Sequence, residues 1–295
     1  QQPVNPNCGG VFAVDSKGQI VHRLNTDDGS RSWVAAGITT DGQYLYVGGS
    51  PQHKGDSESE YLYGCSTVKL DKSLRILASA DPGDRGCHRT GLGNADEDAV
   101  AGEPVLGPDS VWVQYVRPVD GQNKAPLIRY DRDLVEQCRV EPFTGMIQAA
   151  SYYGAPTVDA DGNAYVPYTL PSGDRSKGKR AVLWRVTPQC EVTQLAEVPN
   201  VEALASPTLA DDQYVLFATP GQLAIYTLEG ELVQTHTLGS DAPVIAAPVI
   251  HDGVVYVLSA DATLTIIEGT GLQGYGNAYW PRYRHDNFGS GSLGV

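Results

Sequence analysis

The sequence predicts an all-β fold, a β-propeller of four-stranded antiparallel blades. Three observations lead there. A strand–turn–strand unit recurs five times, four of its turns carry Asp-Gly or Pro-Asp and the fifth Asp-Asp, and no stretch sustains a helical period. The 295 residues are 41% hydrophobic and 19% charged, a globular composition long enough to bury one large core.

The five units are GITTDGQYLYVGG from Gly37, PVLGPDSVWVQYV from Pro104, PTVDADGNAYVPY from Pro156, PTLADDQYVLFAT from Pro207 and PVIHDGVVYVLSA from Pro248. Each reads as a short apolar strand, a tight polar turn, and a second strand rich in Tyr, Val and Leu. A second hairpin follows four of the repeats or starts shortly after them: 66–79, 127–141, 181–196 and 223–238. The unit is therefore four strands, A to D, joined as a meander. Successive starts lie roughly 40 to 70 residues apart, the scale of propeller blades. A ring of such sheets protects most strand edges. Small residues precede every A strand, as in WVAAG, AVAGEP, ASYYGAP, EALASP and VIAAP. Inner strands converge, so packing alone demands small side chains there.

The ends fit ring closure. VFAVDSKGQIVHRL, residues 11–24, reads as a C–D hairpin without an A–B pair, and 248–268 as A, B and C without D. Together they complete one blade, giving five blades; six is the alternative if the N-terminal hairpin and the C-terminal tail form their own. The expected single domain divides into a closing hairpin (11–36), four blades (37–103, 104–155, 156–206 and 207–247), a partial closing blade (248–270) and a tail (271–295).

The repeats PTVxxxGxxYV and LxxxDxxGxxV resemble the PQQ-like repeat propellers, related to the WD40 and NHL families. The segment VFAVDSKGQIV is similar to that family's C–D hairpin. WPRYRHDNFGSG resembles a WPxxRHDxxxSG tail carried by secreted bacterial members. The resemblance implies a propeller but no single function, because that family mixes scaffolds, surface proteins and quinone-dependent dehydrogenases. The chain lacks the adjacent cysteines and the length of the dehydrogenase branch.

A net charge of −14 argues against nucleic acid or an anionic membrane as partner. No apolar run reaches the length of a membrane-spanning helix. The opening QQPVNPNCGG reads as an end left by signal removal. Five cysteines allow at most two bridges, none in CxxC spacing; Cys65–Cys87 is the bridge candidate. The expected compartment is extracellular, periplasmic or cell-surface.

Propeller geometry sorts the loops. A–B and C–D turns emerge at one end, B–C and D–A connections at the other. All A–B and C–D turns are short, whereas the long connections, 50–64, 80–102, 117–125, 142–154 and 169–180, are all of the second kind. Long loops on a rigid scaffold carry function. The residues offered there for a protein, peptide or glycan partner are His53, Tyr61, Tyr63, Arg89, Gln148, Tyr152, Tyr153 and Arg175. Solvated connections are the alternative reading of the same loops.

The expected role is non-catalytic, recognition or assembly scaffolding. One alternative is a channel-mouth enzyme acting on a polysaccharide or glycan, with His88 and Arg89 as catalytic candidates; no GxSxG or HExxH motif is present. Another is a structural subunit of a surface filament, assembling through the C-terminal tail. No cofactor is expected; calcium at Asp96, Glu97 and Asp98 is a metal alternative, as is zinc at Cys65, Cys87, His53 and His88, where a disulfide is preferred. Trp280, Tyr283, Arg284 and Asp286 combine active-site residue types with those of an anchored tail. Following the last repeat, they are expected to form a closure latch.

Overall fold

The structure, a computed structural model, describes residues 11–24, 32–54, 61–63, 66–80, 102–115, 117–119, 122–124, 126–140, 155–171, 178–286 and 292–293. All regular structure among them is β. None of the described residues forms a helix long and apolar enough to cross a membrane.

The chain begins with a hairpin, β1 (Phe12–Val14) and β2 (Ile20–Arg23). The first sheet holds β3 (Ser32–Thr40), β4 (Leu45–Lys54), β5 (Tyr61–Tyr63), β6 (Ser66–Leu70) and β7 (Ile76–Ala80). Its order is β3-β4-β6-β7, and β5 pairs with the far half of β4. The second sheet contains β8 (Val105–Leu106) and β9 (Ser110–Gln114), then a separate hairpin of β10 (Arg117–Val119) and β11 (Gln122–Lys124), then β12 (Leu127–Asp131) and β13 (Glu136–Val140). The third is β14 (Thr157–Val158), β15 (Ala164–Pro171), β16 (Lys179–Val186) and β17 (Val192–Pro199). The fourth is β18 (Thr208–Ala210), β19 (Tyr214–Thr219), β20 (Gln222–Thr227) and β21 (Leu232–Thr237). The last has three strands, β22 (Val249–His251), β23 (Val254–Leu258) and β24 (Leu264–Ile267). Every sheet is an antiparallel meander in chain order. This series of sheets is consistent with a propeller-like arrangement.

Strand periodicity explains how the sheets stack. In β19, Val215 and Phe217 face the third sheet, joining Tyr165, Leu183 and Leu195, while Leu216 and Ala218 face the fifth, joining Val255 and Val257. Period-2 alternation thus buries both faces, and inner strands read as unbroken apolar runs. The second and third sheets share a core around Trp112, Tyr130, Val166 and Tyr168, which Tyr46 of the first sheet joins. Val11 and Leu24, flanking the N-terminal hairpin, pack with Val47, Val68 and Leu70 of the first sheet. Successive sheets therefore lie face to face along the chain.

One turn recurs in the C–D hairpins. Asp15, Asp71 and Asp131 each accept backbone N–H bonds from two and four residues on, and Thr187 and Thr227 occupy the same position. The residue three on is left-handed in each: Gly18, Leu74, Leu134, Cys190 and Gly230. A left-handed leucine costs about 1–2 kcal/mol in backbone strain. Leu74 and Leu134 offset this by being buried against neighbouring sheets. Cys190 uses the position differently, bonding to Cys138 of β13 with 6.1 Å between Cα atoms. The disulfide among the described residues is thus an inter-sheet staple at the outer edge. The sequence-stated candidate, Cys65–Cys87, lies outside the described residues.

Candidate functional site

The two ends of the sheets differ. Each A strand finishes at an A–B turn, and residues 270–286 run across these turns from the fifth and fourth sheets, over the third, to the second, while 292–293 lie against the first. The Tyr275 hydroxyl accepts from the Ile250 N–H at 3.2 Å. The Asp211 carboxylate accepts from the N–H groups of Gln273 and Gly274, and Asp212 accepts from the Asn277 side chain at 2.7 Å. Trp280 and Val158 exchange both backbone bonds, at 2.8 and 2.9 Å, and Leu209 N–H donates to the Pro281 carbonyl at 2.7 Å. Arg132, from the C–D turn of the second sheet, donates to the Tyr279 hydroxyl at 3.0 Å and to the Gly107 carbonyl at 2.7 Å. Leu293 N–H reaches the Thr40 carbonyl at 3.2 Å.

Trp280 is fully buried within the core of the second and third sheets, and the His285 ring lies against it at 4.9 Å between centroids. Arg282 donates to the Asp286 carbonyl, and Arg284 and His285 take left-handed backbone, tightening the segment into a turn. Burial pushes the His285 pKa down, against the opposing pull of Asp286, which favours the neutral ring near pH 7. Tyr283 and Arg284 lie beside Glu103, which immediately precedes the A strand of the second sheet.

Glu103 is only 4% exposed, and its carboxylate has the Tyr283 phenol as a hydrogen-bonding neighbour. It packs against Gly37, where any Cβ would overlap its side chain. Burial raises its pKa to about 7, with the Arg284 guanidinium and then the Tyr283 phenol pulling the other way. Burial and the neighbouring Glu103 push the Tyr283 phenol up to about 12. This carboxyl therefore changes charge near neutrality, directly beneath the C-terminal segment. Sequence reasoning passed over it, yet a signal exists. At the position before each A strand the other units carry Ala36, Ala155, Ser206 and Ala247; only the second carries a large charged residue. Arg132, Asp211 and Asp212, which also hold the segment, have no comparable mark.

Beside this segment a cleft of about 130 Å³ opens between the A–B turns of the third and fourth sheets. Asp159, Asp161, Asp212 and Tyr214 rim it, and Leu209, Leu228 and Ala278 supply apolar wall. Asp159 is saturated: its carboxylate accepts from the N–H groups of Asp161 and Asn163, from Asn163 Nδ2 and from the Tyr165 hydroxyl. The DADGN stretch is accordingly a hairpin turn organised by its first aspartate.

The opposite end carries the B–C and D–A connections, which meet within one sheet or between neighbouring sheets. Gly221 N–H donates to the Ser240 carbonyl, Ala260 N–H to the Pro243 carbonyl, and Ala203 N–H to Thr169 Oγ1. Here the first three sheets grow arms. The extended β4 pairs with β5, with His53 opposite Leu62 and Gln52 opposite Tyr63. Among the described strands β10 and β11 pair with each other alone, and β15 and β16 run on to Pro171 and Lys179. The fourth and fifth sheets have tight turns instead. The backbone of His53, Tyr61 and Tyr63 therefore lies on one arm. His88, Arg89, Asp96, Glu97, Asp98, Gln148, Tyr152, Tyr153 and Arg175 lie outside the described residues. Among the described residues, no group of three or more His, Cys, Asp or Glu side chains is placed to hold a metal.

Neither a protein-family model nor a curated protein matches the chain. Among solved structures it is similar to a protein of unknown function from Bacteroides caccae, with a TM-score of 0.46 and 12% identity, covering 92% of this chain and 90% of that one.

Proposed function

We propose that the chain is a non-catalytic, exported propeller that recognises a protein or glycan partner through its B–C/D–A end. In this reading five blades form the ring, β1 and β2 complete the blade of β22–β24, and residues 280–286 latch the inner strands. The observation that carries it is the asymmetry between ends: the A–B turns are bound by the chain's own C-terminal segment, while hairpin arms project from the other end of the first three sheets. Arms on a rigid scaffold suit recognition, and the Cys138–Cys190 bridge fits an oxidising compartment. The PQQ-like resemblance of the repeats supports the ring.

A glycan array tests the assignment, probed with the wild-type chain and with Tyr152→Ala/Tyr153→Ala. The wild type is expected to bind a defined glycan set that the double variant binds at least tenfold less tightly. Binding untouched by that change, but lost on removing 270–295 from a chain that stays folded, would place recognition at the other end and sink the proposal.

A further inference from the structure

The cleft between the A–B turns of the third and fourth sheets has no part in the reading above, since it opens at the opposite end. Its chemistry is specific. The rim holds three carboxylates, but two are occupied: Asp159 by four donors within its own turn, Asp212 by Asn277. Asp161 is exposed, and the bond described there comes from its backbone N–H, leaving its carboxylate to face solvent at the cleft mouth. Calcium or magnesium takes six or more oxygen ligands, and one open carboxylate is a poor start. The wall is apolar, from Leu209, Leu228 and Ala278, with the Tyr214 ring beside it. Arg185 donates to the Leu228 carbonyl at the cleft wall.

An apolar wall rimmed by an open carboxylate matches one kind of group: a flexible methylene stem that lies on the wall with its compact ammonium turned out to the rim. Arginine fits less well, because its planar fork gains most from bidentate pairing and two of the three carboxylates are already engaged. The chain's charge of −14 favours approach of a cationic partner. We propose that this cleft receives a lysine side chain from a partner polypeptide. Ala278 of the C-terminal segment forms part of the wall, so the site exists only while that segment is docked.

The test uses the full chain and three small probes, Nα-acetyl-lysine N-methylamide and its norleucine and arginine counterparts, followed through the methyl resonances of Leu209 and Leu228. The lysine probe is expected to shift both groups saturably, and more tightly than either counterpart. Asp161→Asn is expected to weaken it about two- to fivefold, the range of a solvent-exposed ion pair. Asp161→Lys is expected to abolish it, with the melting temperature unchanged in both variants. Absence of a saturable shift at tens of millimolar overturns the proposal. So does equal binding of the norleucine probe, which would mark a purely apolar cleft, or equal binding of the arginine probe.

Discussion

At the A–B end the C-terminal segment joins sheets far apart in sequence; at the B–C end the bonds stay within one sheet or join neighbouring sheets. Arg132 and Tyr279 stand 147 positions apart, and Asp212 and Asn277 stand 65 apart, whereas Thr169 and Ala203 are separated by 34. Loop-closure entropy grows only slowly with length, so the long reach is thermodynamically tolerable if burial at its end is large. Trp280 provides that burial. The difference teaches which half of the molecule holds the sheets together and which half is free to vary. Among the described strands, β10 and β11 pair only with each other.

The largest expected effect follows directly. Trp280→Ala removes a fully buried indole at the meeting of two sheets and should cost about 3–5 kcal/mol. Replacing residues 117–124 by a tight turn should cost less than about 1 kcal/mol, in line with changes away from packed sites. Urea unfolding of both variants measures the contrast. Comparable losses would mean that the arms bear on stability as much as the C-terminal segment does, and the comparison between ends would fail.

Glu103 sharpens the same comparison through pH. Its folded pKa of about 7 lies above the ordinary 4.5, so the folded chain holds this proton more tightly than the unfolded chain. The associated stability is fully present below about pH 4.5 and is lost as pH rises through about 7. A shift of this size corresponds to on the order of 3 kcal/mol at most. Glu103→Gln should therefore be more stable than the wild type at pH 8, and the gap should close toward pH 5. Parallel stability curves for the two proteins would show that Glu103 does not titrate in the folded chain.

The strands were legible because their signals are local. Alternation in AYVPYTL or YVLFAT and the Asp-led turns after Val14, Leu70 and Tyr130 are written in adjacent residues, and the sheets follow them. The tail's packing was legible only in outline. Trp280 and Tyr283 stand out by type, but the pairing of Trp280 with Val158 is made by backbone atoms and has no residue code. Cys138–Cys190 joins positions 52 apart with no spacing signature, and it depends on a left-handed turn that places Cys190 against the next sheet. The face sorted by loop length rested on connections between sheets, and most of its named side chains, Tyr152 and Tyr153 among them, fall outside the described residues.

The smallest effect extends the comparison to the outer turns and bears on ring closure. Gly230 and Gly18 occupy equivalent left-handed positions, at φ of 98° and 77°. An added Cβ at Gly230 would lie 3.2–3.3 Å from Leu195 of the preceding sheet, whereas at Gly18 it would meet nothing within 4 Å. Gly18→Ala should then cost only the backbone penalty, about 1 kcal/mol. Gly230→Ala adds a tight contact to that penalty and should cost about 1–2 kcal/mol more, the range of mild overpacking. The order of the two losses is the informative quantity. If Gly18→Ala proves as costly as Gly230→Ala, another surface covers that turn in solution. The exposed Phe12, Val14, Ile20 and Val21 of the N-terminal hairpin and the exposed Leu264 and Ile266 of β24 are the apolar surfaces such a closure would bring out of water. Loss confined to Gly230→Ala would instead leave the turn of the N-terminal hairpin open to solvent, as it stands in the structure.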